Sequence, residues 1–153
     1  MSFSSSNQYN NSINTHVHLQ DSHYILIVDD ESDILLVVRR ALEEHGFNTC
    51  CFTKPRIALE HYKTSPSNHD VVISDLQMPN VNGFEFIKKV KDINSNVKAF
   101  LMSSSFQTGD LGLLSLPKSN SSSSLNLMID EFILKPFSVQ KLVMLIRKHV
   151  EVA

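Results

Sequence analysis

The sequence predicts a doubly wound α/β domain, a five-stranded parallel sheet with helices packed on both faces. From Tyr24 onward, short apolar runs alternate with longer stretches of helical period, as repeated β-α units do. Four of the five runs are nearly continuous in hydrophobic residues, the pattern of strands covered on both sides. The 153 residues, 42% of them hydrophobic, suffice for one such core, since a chain of this length buries roughly 70% of its unfolded surface.

The expected strands are residues 24–29, 47–52, 71–75, 97–102 and 131–134. The second, Phe-Asn-Thr-Cys-Cys-Phe, is more mixed than the others and is expected at a sheet edge. Over 32–45, helical spacing puts Ile34, Val38, Ala41 and Leu42 on one face and Arg39, Arg40, Glu43 and Glu44 elsewhere, and Gly46 is a natural stop. Pro55 suits a first turn and opens a second helix to about Tyr62. A third helix over 84–93 spaces Phe84, Ile87 and Val90 for burial, and Ser138 caps a last helix that continues to about Val150. Right-handed crossovers are expected between successive strands. The last helix carries Val139, Leu142, Val143, Met144, Leu145, Ile146 and Val150, a wider arc than one buried face needs. Met144 and Leu145 are therefore expected to be partly exposed, either beneath the neighbouring Ser-rich segment or as a homodimer or partner surface.

Two segments depart from this rhythm. Residues 1–22 are dominated by Ser and Asn and read as a disordered tail ahead of a domain over 23–153. His16, His18 and His23 in or beside that tail are weak metal candidates beside their plain reading as solvated polar residues. Residues 104–128 carry Gly109, Gly112, Pro117 and a run of four serines, which oppose one continuous helix. A short helix over 110–116 inside a long loop is the expectation there.

Fourteen Lys plus Arg against 16 Asp plus Glu give a net charge of -2 with no basic block, which argues against a dedicated nucleic-acid binder or a polybasic membrane-surface protein. No direct DNA binding is expected. The apolar runs fall far short of the roughly 20 residues that span a bilayer, and the first residues lack the pattern of a secretory signal. No membrane insertion is expected, and the cytoplasm is the expected location. Cys50 and Cys51 are adjacent, which suits neither a disulfide framework nor zinc-ligand spacing, so both read as ordinary reduced thiols.

In a parallel sheet every strand ends on the same side, and ligands bind outside those ends where the strand order reverses. The first run is followed by Asp29 and Asp30, the third by Asp75, the fourth by Ser103 and the fifth by Lys135 with Pro136. Three converging carboxylates carry -3 and Lys135 leaves -2, a balance that raises a carboxyl pKa unless a cation enters. Mg2+ suits such an open, partly hydrated oxygen cluster and also takes phosphate oxygens. An Asp carboxylate is a competent nucleophile toward phosphorus. Lys135 would add a point charge on phosphoryl oxygens and Ser103 a hydroxyl donor.

At these residues the sequence resembles the receiver domain of two-component response regulators, the CheY-like family. The resemblance spans residues 24–150 and rests on ILIVDDESDI with Asp29 and Asp30, and on VVISDLQMPNVNGFEF with Asp75, Met78, Pro79 and Gly83. AFLMSS with Ser103 and DEFILKPF with Phe132 and Lys135 complete it. It implies a flavodoxin-like sheet of strand order 2-1-3-4-5. It further implies that Asp75 accepts phosphate from a histidine kinase phosphohistidine, that Asp30 binds Mg2+ directly and Asp29 largely through water, and that the backbone carbonyl of Gln77 is a third protein ligand. Ser103 stands where the family has Thr or Ser, and Phe132 where it has an aromatic whose rotamer reports phosphorylation. The bond from Lys135 to Pro136 is commonly cis in this family. Ser104 replaces the usual small residue, and the helix that normally follows, part of the output surface, gives way to the Ser-rich segment. The implied role is a single-domain regulator in a phosphorelay, a phosphoacceptor with self-catalysed transfer and dephosphorylation instead of a turnover enzyme. Its expected partners are a sensor histidine kinase or phosphotransfer protein and a downstream protein target. No effector domain is expected, because the chain stops just past the last helix.

Each residue also has a plainer reading. Asp29 and Asp30 could be a strand-end turn pair, Asp75 a turn residue, Ser103 a solvated serine and Phe132 a core aromatic. Gly83 is a turn or helix-start glycine in any reading, and Met78 with Pro79 shapes the loop after Asp75. A scaffold that signals without phosphorylation would typically have lost an acid or the lysine, and this chain has all of them. A Mg2+-dependent aspartyl-phosphate phosphohydrolase would place its nucleophile at the end of the first strand with a second acid two residues on. Here the acids are adjacent and the residue two beyond Asp29 is Glu31.

Overall fold

The computed structural model describes residues 24–104 and 128–150. Strands β1 (Tyr24–Val28), β2 (Asn48–Phe52), β3 (His69–Asp75), β4 (Lys98–Ser103) and β5 (Glu131–Leu134) form one parallel sheet in the order β2-β1-β3-β4-β5. Helices α1 (Ser32–Glu44), α2 (Pro55–Thr64), α3 (Gly83–Ile93) and α4 (Val139–Val150) cover it, and a 3-10 turn (Pro66–Asn68) leads into β3. Each β-α unit arises where a short continuous apolar run gives way to a stretch of apolar period 3.6.

Because side chains alternate across a strand, the sheet divides the interior into two cores. Ile25, Ile27, Val71, Ile73, Phe100, Met102 and Ile133 face α1 and α4. Leu26, Val28, Val72, Ala99 and Leu101 face α2 and α3. Consecutive β1 residues from Ile25 to Val28 are all buried, and each such side chain stabilises the fold by about 1.5–3 kcal/mol. That double-sided burial is why the apolar runs do not alternate. The mixed strand β2 lies at an edge, as expected, and its last four residues are only half-buried.

Helix phases differ from expectation in three places. In α1 the buried stripe is Leu35, Val38, Ala41 and Leu42, with Ile34 on its flank, because Leu35 and Leu42 stand seven residues apart on one line. In α3, Phe86 joins Ile87 and Val90 in the core while Phe84 is half-buried. In α4, Leu145 is buried with Leu142, Val143 and Ile146, which corrects the expected exposure of that residue. The wide apolar arc of α4 is thus largely absorbed by the core, and Met144, 61% exposed, remains outside it. Gly46 follows α1 at φ 87°, a backbone that glycine adopts without strain. Ser138 Oγ accepts from the Lys141 N–H at 3.1 Å, the expected cap of α4.

The tail over 1–22, His16, His18 and His23, and the Ser-rich segment apart from its end residues, with the short helix expected over 110–116, lie outside the described residues. Among the described residues, no helix is long and apolar enough to cross a membrane.

Candidate functional site

The carboxyl ends of β1, β3, β4 and β5 bring the expected residues together. Asp29 sits one residue past β1, where its N–H donates to the Phe52 carbonyl at 3.1 Å, and its side chain is fully buried. Both of its carboxylate oxygens are engaged: Oδ1 accepts from the Glu31 N–H at 3.0 Å and Oδ2 from Lys135 Nζ at 2.6 Å. Asp75 ends β3 opposite Met102, and the pairing continues one residue further through the Leu76 N–H to the Met102 carbonyl at 2.7 Å. Its Oδ1 lies 3.5 Å from the same Lys135 Nζ. Asp30 is exposed, and carboxylate oxygens of Asp29, Asp30 and Asp75 lie within 4.8 Å of one another.

Lys135 owes its place to β5. Its N–H donates to the Ser103 carbonyl at 2.8 Å, which extends the β4–β5 ladder to the site, and the Lys135–Pro136 bond is cis. Ser103, read on its own as a solvated serine, is instead 1% exposed. Phe132 is half-buried against the α2–α3 core and pairs with Leu101 across the sheet. Gln77 is exposed, between the buried Leu76 and Met78 that pin the loop after β3.

That loop is held from below. The Gly83 N–H donates to the Leu76 carbonyl at 2.8 Å, Asn80 takes a left-handed φ of 70°, and Asn82 caps α3 by accepting from the Glu85 N–H at 2.9 Å. A Cβ on Gly83 would overlap the Asp75 carbonyl oxygen and come within 2.7 Å of Leu101 Cδ1. Gly83 is therefore a site-positioning residue as well as a helix start. Its position after Met78 and Pro79 was visible in the sequence, but the contact with Asp75 was not.

Electrostatics follow from this packing. Burial, then the charge of Asp29, pushes the Asp75 carboxyl up to about 6, with Lys135 opposing and Asp30 adding to the rise. Burial alone would lower the Lys135 ammonium, but its hydrogen bond to Asp29 and the charges of Asp29 and Asp75 outweigh that and raise it. One fixed cation thus pairs with two of the three acids, Asp29 and Asp75, and leaves Asp30 without it. The excess negative charge, all of it on oxygen donors, fits a hard divalent cation, and Asp29, Asp30 and Asp75 could hold it.

The response regulator receiver domain family matches residues 25–147. The chain is 31% identical over 121 residues to response regulator SaeR of Staphylococcus epidermidis, a match covering 79% of this chain and 47% of that protein. It therefore spans about half the length of this curated relative. Among solved structures, a response regulator receiver domain protein from Clostridium thermocellum superposes with a TM-score of 0.71 at 25% identity, covering 84% of this chain and 94% of that one. The response regulator TrrA of Thermotoga maritima, solved in complex with Mg2+-BeF, gives a TM-score of 0.64 at 26% identity over 82% of this chain and 97% of that one.

Proposed function

The chain belongs to the response regulator receiver domain family, and from that premise we propose that Asp75 accepts a phosphoryl group from a phosphohistidine of a sensor histidine kinase or phosphotransfer protein. The observation that carries this reading is the convergence of Asp29, Asp30 and Asp75 at the carboxyl edge of the sheet, with Lys135 paired to Asp29 and Asp75. An ionised Asp75 oxygen attacks phosphorus while the phosphorus–nitrogen bond of the donor breaks. The bonding pair returns to the imidazole nitrogen, which then takes a proton from solvent. At neutral pH a carboxyl titrating at about 6 is mostly ionised and ready for that attack.

Mg2+ held by Asp29, Asp30, Asp75 and the Gln77 backbone carbonyl would supply the charge that balances both the acids and the phosphoryl oxygens. Lys135, already between Asp29 and Asp75, orients as a point charge toward the same oxygens. Ser103 ends β4 beside them and is the hydroxyl donor of this reading. Ser103 and Phe132 act as the switch pair, passing occupancy of Asp75 to the β4–β5 face and so to a downstream protein target. The same reading keeps the chain in the cytoplasm with its phosphodonor.

Incubation with acetyl phosphate or phosphoramidate and Mg2+, followed by intact mass, tests the proposal. One phosphoryl adduct is expected, absent in Asp75→Asn and dependent on Mg2+. Lys135→Ala is expected to keep adduct formation while uncoupling it from changes at Phe132. Absence of any Asp75-dependent adduct would overturn the reading in favour of a scaffold that signals without phosphorylation.

A further inference from the structure

Away from the carboxylate edge, three side chains with no shared sequence motif come together at the β2 side of the sheet. Cys50 of β2, His61 of α2 and His69 at the start of β3 each present a ligand atom within 4.8 Å of the others. His69 is 4% exposed, and its Nε2 is fully buried with no hydrogen-bond partner. The other ring nitrogen, Nδ1, lies 3.1 Å from the Ser65 carbonyl oxygen, which can only accept, so Nδ1 carries the hydrogen. In the neutral ring Nε2 is then a bare lone pair, and burial holds the ring neutral by pushing its pKa down. A buried acceptor left unmatched is a cost that proteins rarely carry without a reason.

We propose that Cys50, His61 and His69 form a Zn2+ site, with His69 Nε2, one imidazole nitrogen of His61 and the Cys50 thiolate as ligands and a fourth position open to water. One soft sulfur and two imidazoles are the donor set that Zn2+ takes in tetrahedral sites. The bond from His69 Nδ1 to a backbone carbonyl is the outer contact that metal-bound histidines ordinarily make to fix their tautomer and orientation. The His61 ring contacts both the Phe52 and His69 rings, with centroids at 5.1 and 5.4 Å, which keeps it next to the buried His69. Zn–N and Zn–S bonds of about 2.0–2.3 Å require the three donors to close by roughly 1 Å, within the reach of side-chain torsions. Burial raises the Cys50 thiol, so at neutral pH it enters as S–H. Ligation breaks that bond, leaves the electron pair on sulfur for the metal, and sends one proton to solvent.

The site is distinct from the carboxylate cluster. His69 begins β3 and Asp75 ends it, about 20 Å apart at the rise of a strand. Its ligands belong to β2, α2 and β3, so the metal would fasten the edge strand and the helix above it to the sheet interior.

The test is titration of the reduced full chain, in saturating Mg2+, with Co2+ as the spectroscopic probe and Zn2+ as competitor. A thiolate-to-Co2+ charge-transfer band saturating at one equivalent and displaced by Zn2+ is expected. Cys50→Ser should abolish the band and His61→Gln should weaken Co2+ binding by at least about tenfold. Cys51→Ser and Asp75→Asn should leave both unchanged, which separates this site from the neighbouring thiol and from the carboxylates. Both diagnostic substitutions lie outside the fully buried core, so circular dichroism of each variant is expected to match the parent. A titration without the band, a band that survives Cys50→Ser, or unchanged affinity in His61→Gln would overturn the proposal.

Discussion

Replacing Asp75 with Asn should change how stability depends on pH in protein freed of divalent cations. The Asp75 carboxyl is pushed from 3.8 up to about 6, first by burial and then by Asp29. Between those values the folded chain holds a proton that the unfolded chain has released. Stability therefore falls as pH rises through this window, and the loss is complete above the folded value. A window of about 2 pH units corresponds to about 3 kcal/mol in full. Measured between about pH 4.5 and pH 7.5, which covers most but not all of it, the change is about 2 kcal/mol.

Asn carries no titrating proton, so the variant lacks this component. Urea unfolding followed by circular dichroism, with chelator present, should show the stability of Asp75→Asn relative to the parent rising by about 2 kcal/mol from the acid to the neutral condition. In melting temperature that is roughly 8 °C. Other ionisable groups are common to both proteins and cancel in the comparison. Adding Mg2+ at the neutral condition should narrow the gap, because a ligand that binds only the folded state stabilises it by mass action. A difference that is the same at both pH values, or larger in acid, would refute the assignment of trapped negative charge to Asp75.

Three further outcomes follow from individual contacts. Gly83→Ala should destabilise the fold by about 1–3 kcal/mol in urea melts and slow adduct formation from acetyl phosphate, since the added methyl meets the Asp75 carbonyl and Leu101. Asp130→Ala should cost about 1–3 kcal/mol, because its Oδ2 accepts from the Ala99 N–H at 2.8 Å and from Lys91 Nζ at 3.3 Å just ahead of β5. Gly46→Ala meets no atom within 4 Å but forces an L side chain to φ 87°, so a loss of about 1–2 kcal/mol without effect on phosphorylation is expected.

What the sequence disclosed was largely what strand ends disclose. Asp29, Asp75, Ser103 and Lys135 each close or follow an apolar run, and parallel pairing then places all of them on one edge with no further information. Helix phase was harder to read. Ile34 and Leu35 are both apolar and adjacent, and only packing into the core cluster that includes Ile27 and Ile73 buries Leu35 while Ile34 stays on its margin. Ser103 is placed at the site by its position after the fourth run, but its burial was not legible, because a serine read alone is usually solvated whereas the last position of a central strand is covered by its neighbours on both sides. The Cys50, His61 and His69 cluster had no signature at all. Its members come from three elements at spacings set by the lengths of α2 and the turn before β3, so adjacency of Cys50 and Cys51 suggested ordinary thiols. The two cysteines in fact face opposite cores, Cys50 toward α2 and α3, Cys51 toward α1 and α4.

The unequal satisfaction of the three acids bears on the proposal that Asp75 is the phosphoacceptor. Asp29 has both oxygens committed, to the Glu31 amide and to Lys135, while among the described contacts Asp75 has one 3.5 Å approach from the same ammonium. A nucleophile needs an oxygen that is ionised yet weakly held, and Asp75 is the acid in that position. Asp29→Asn should then act on Asp75 in one direction by two routes. It removes the neighbouring negative charge that raises the Asp75 carboxyl, and it releases Lys135 to pair with Asp75 alone. Both favour the ionised form, so the midpoint of Asp75, followed by NMR of its side-chain carboxyl carbon without Mg2+, should move below about 6. Mg2+ affinity should fall in the same variant, since one of three acidic donors is gone, so nucleophile ionisation and metal binding change in opposite senses. A midpoint that stays or rises would mean that burial alone sets the Asp75 carboxyl, and that Asp29 is no part of what would suit Asp75 to the proposed phosphoacceptor role.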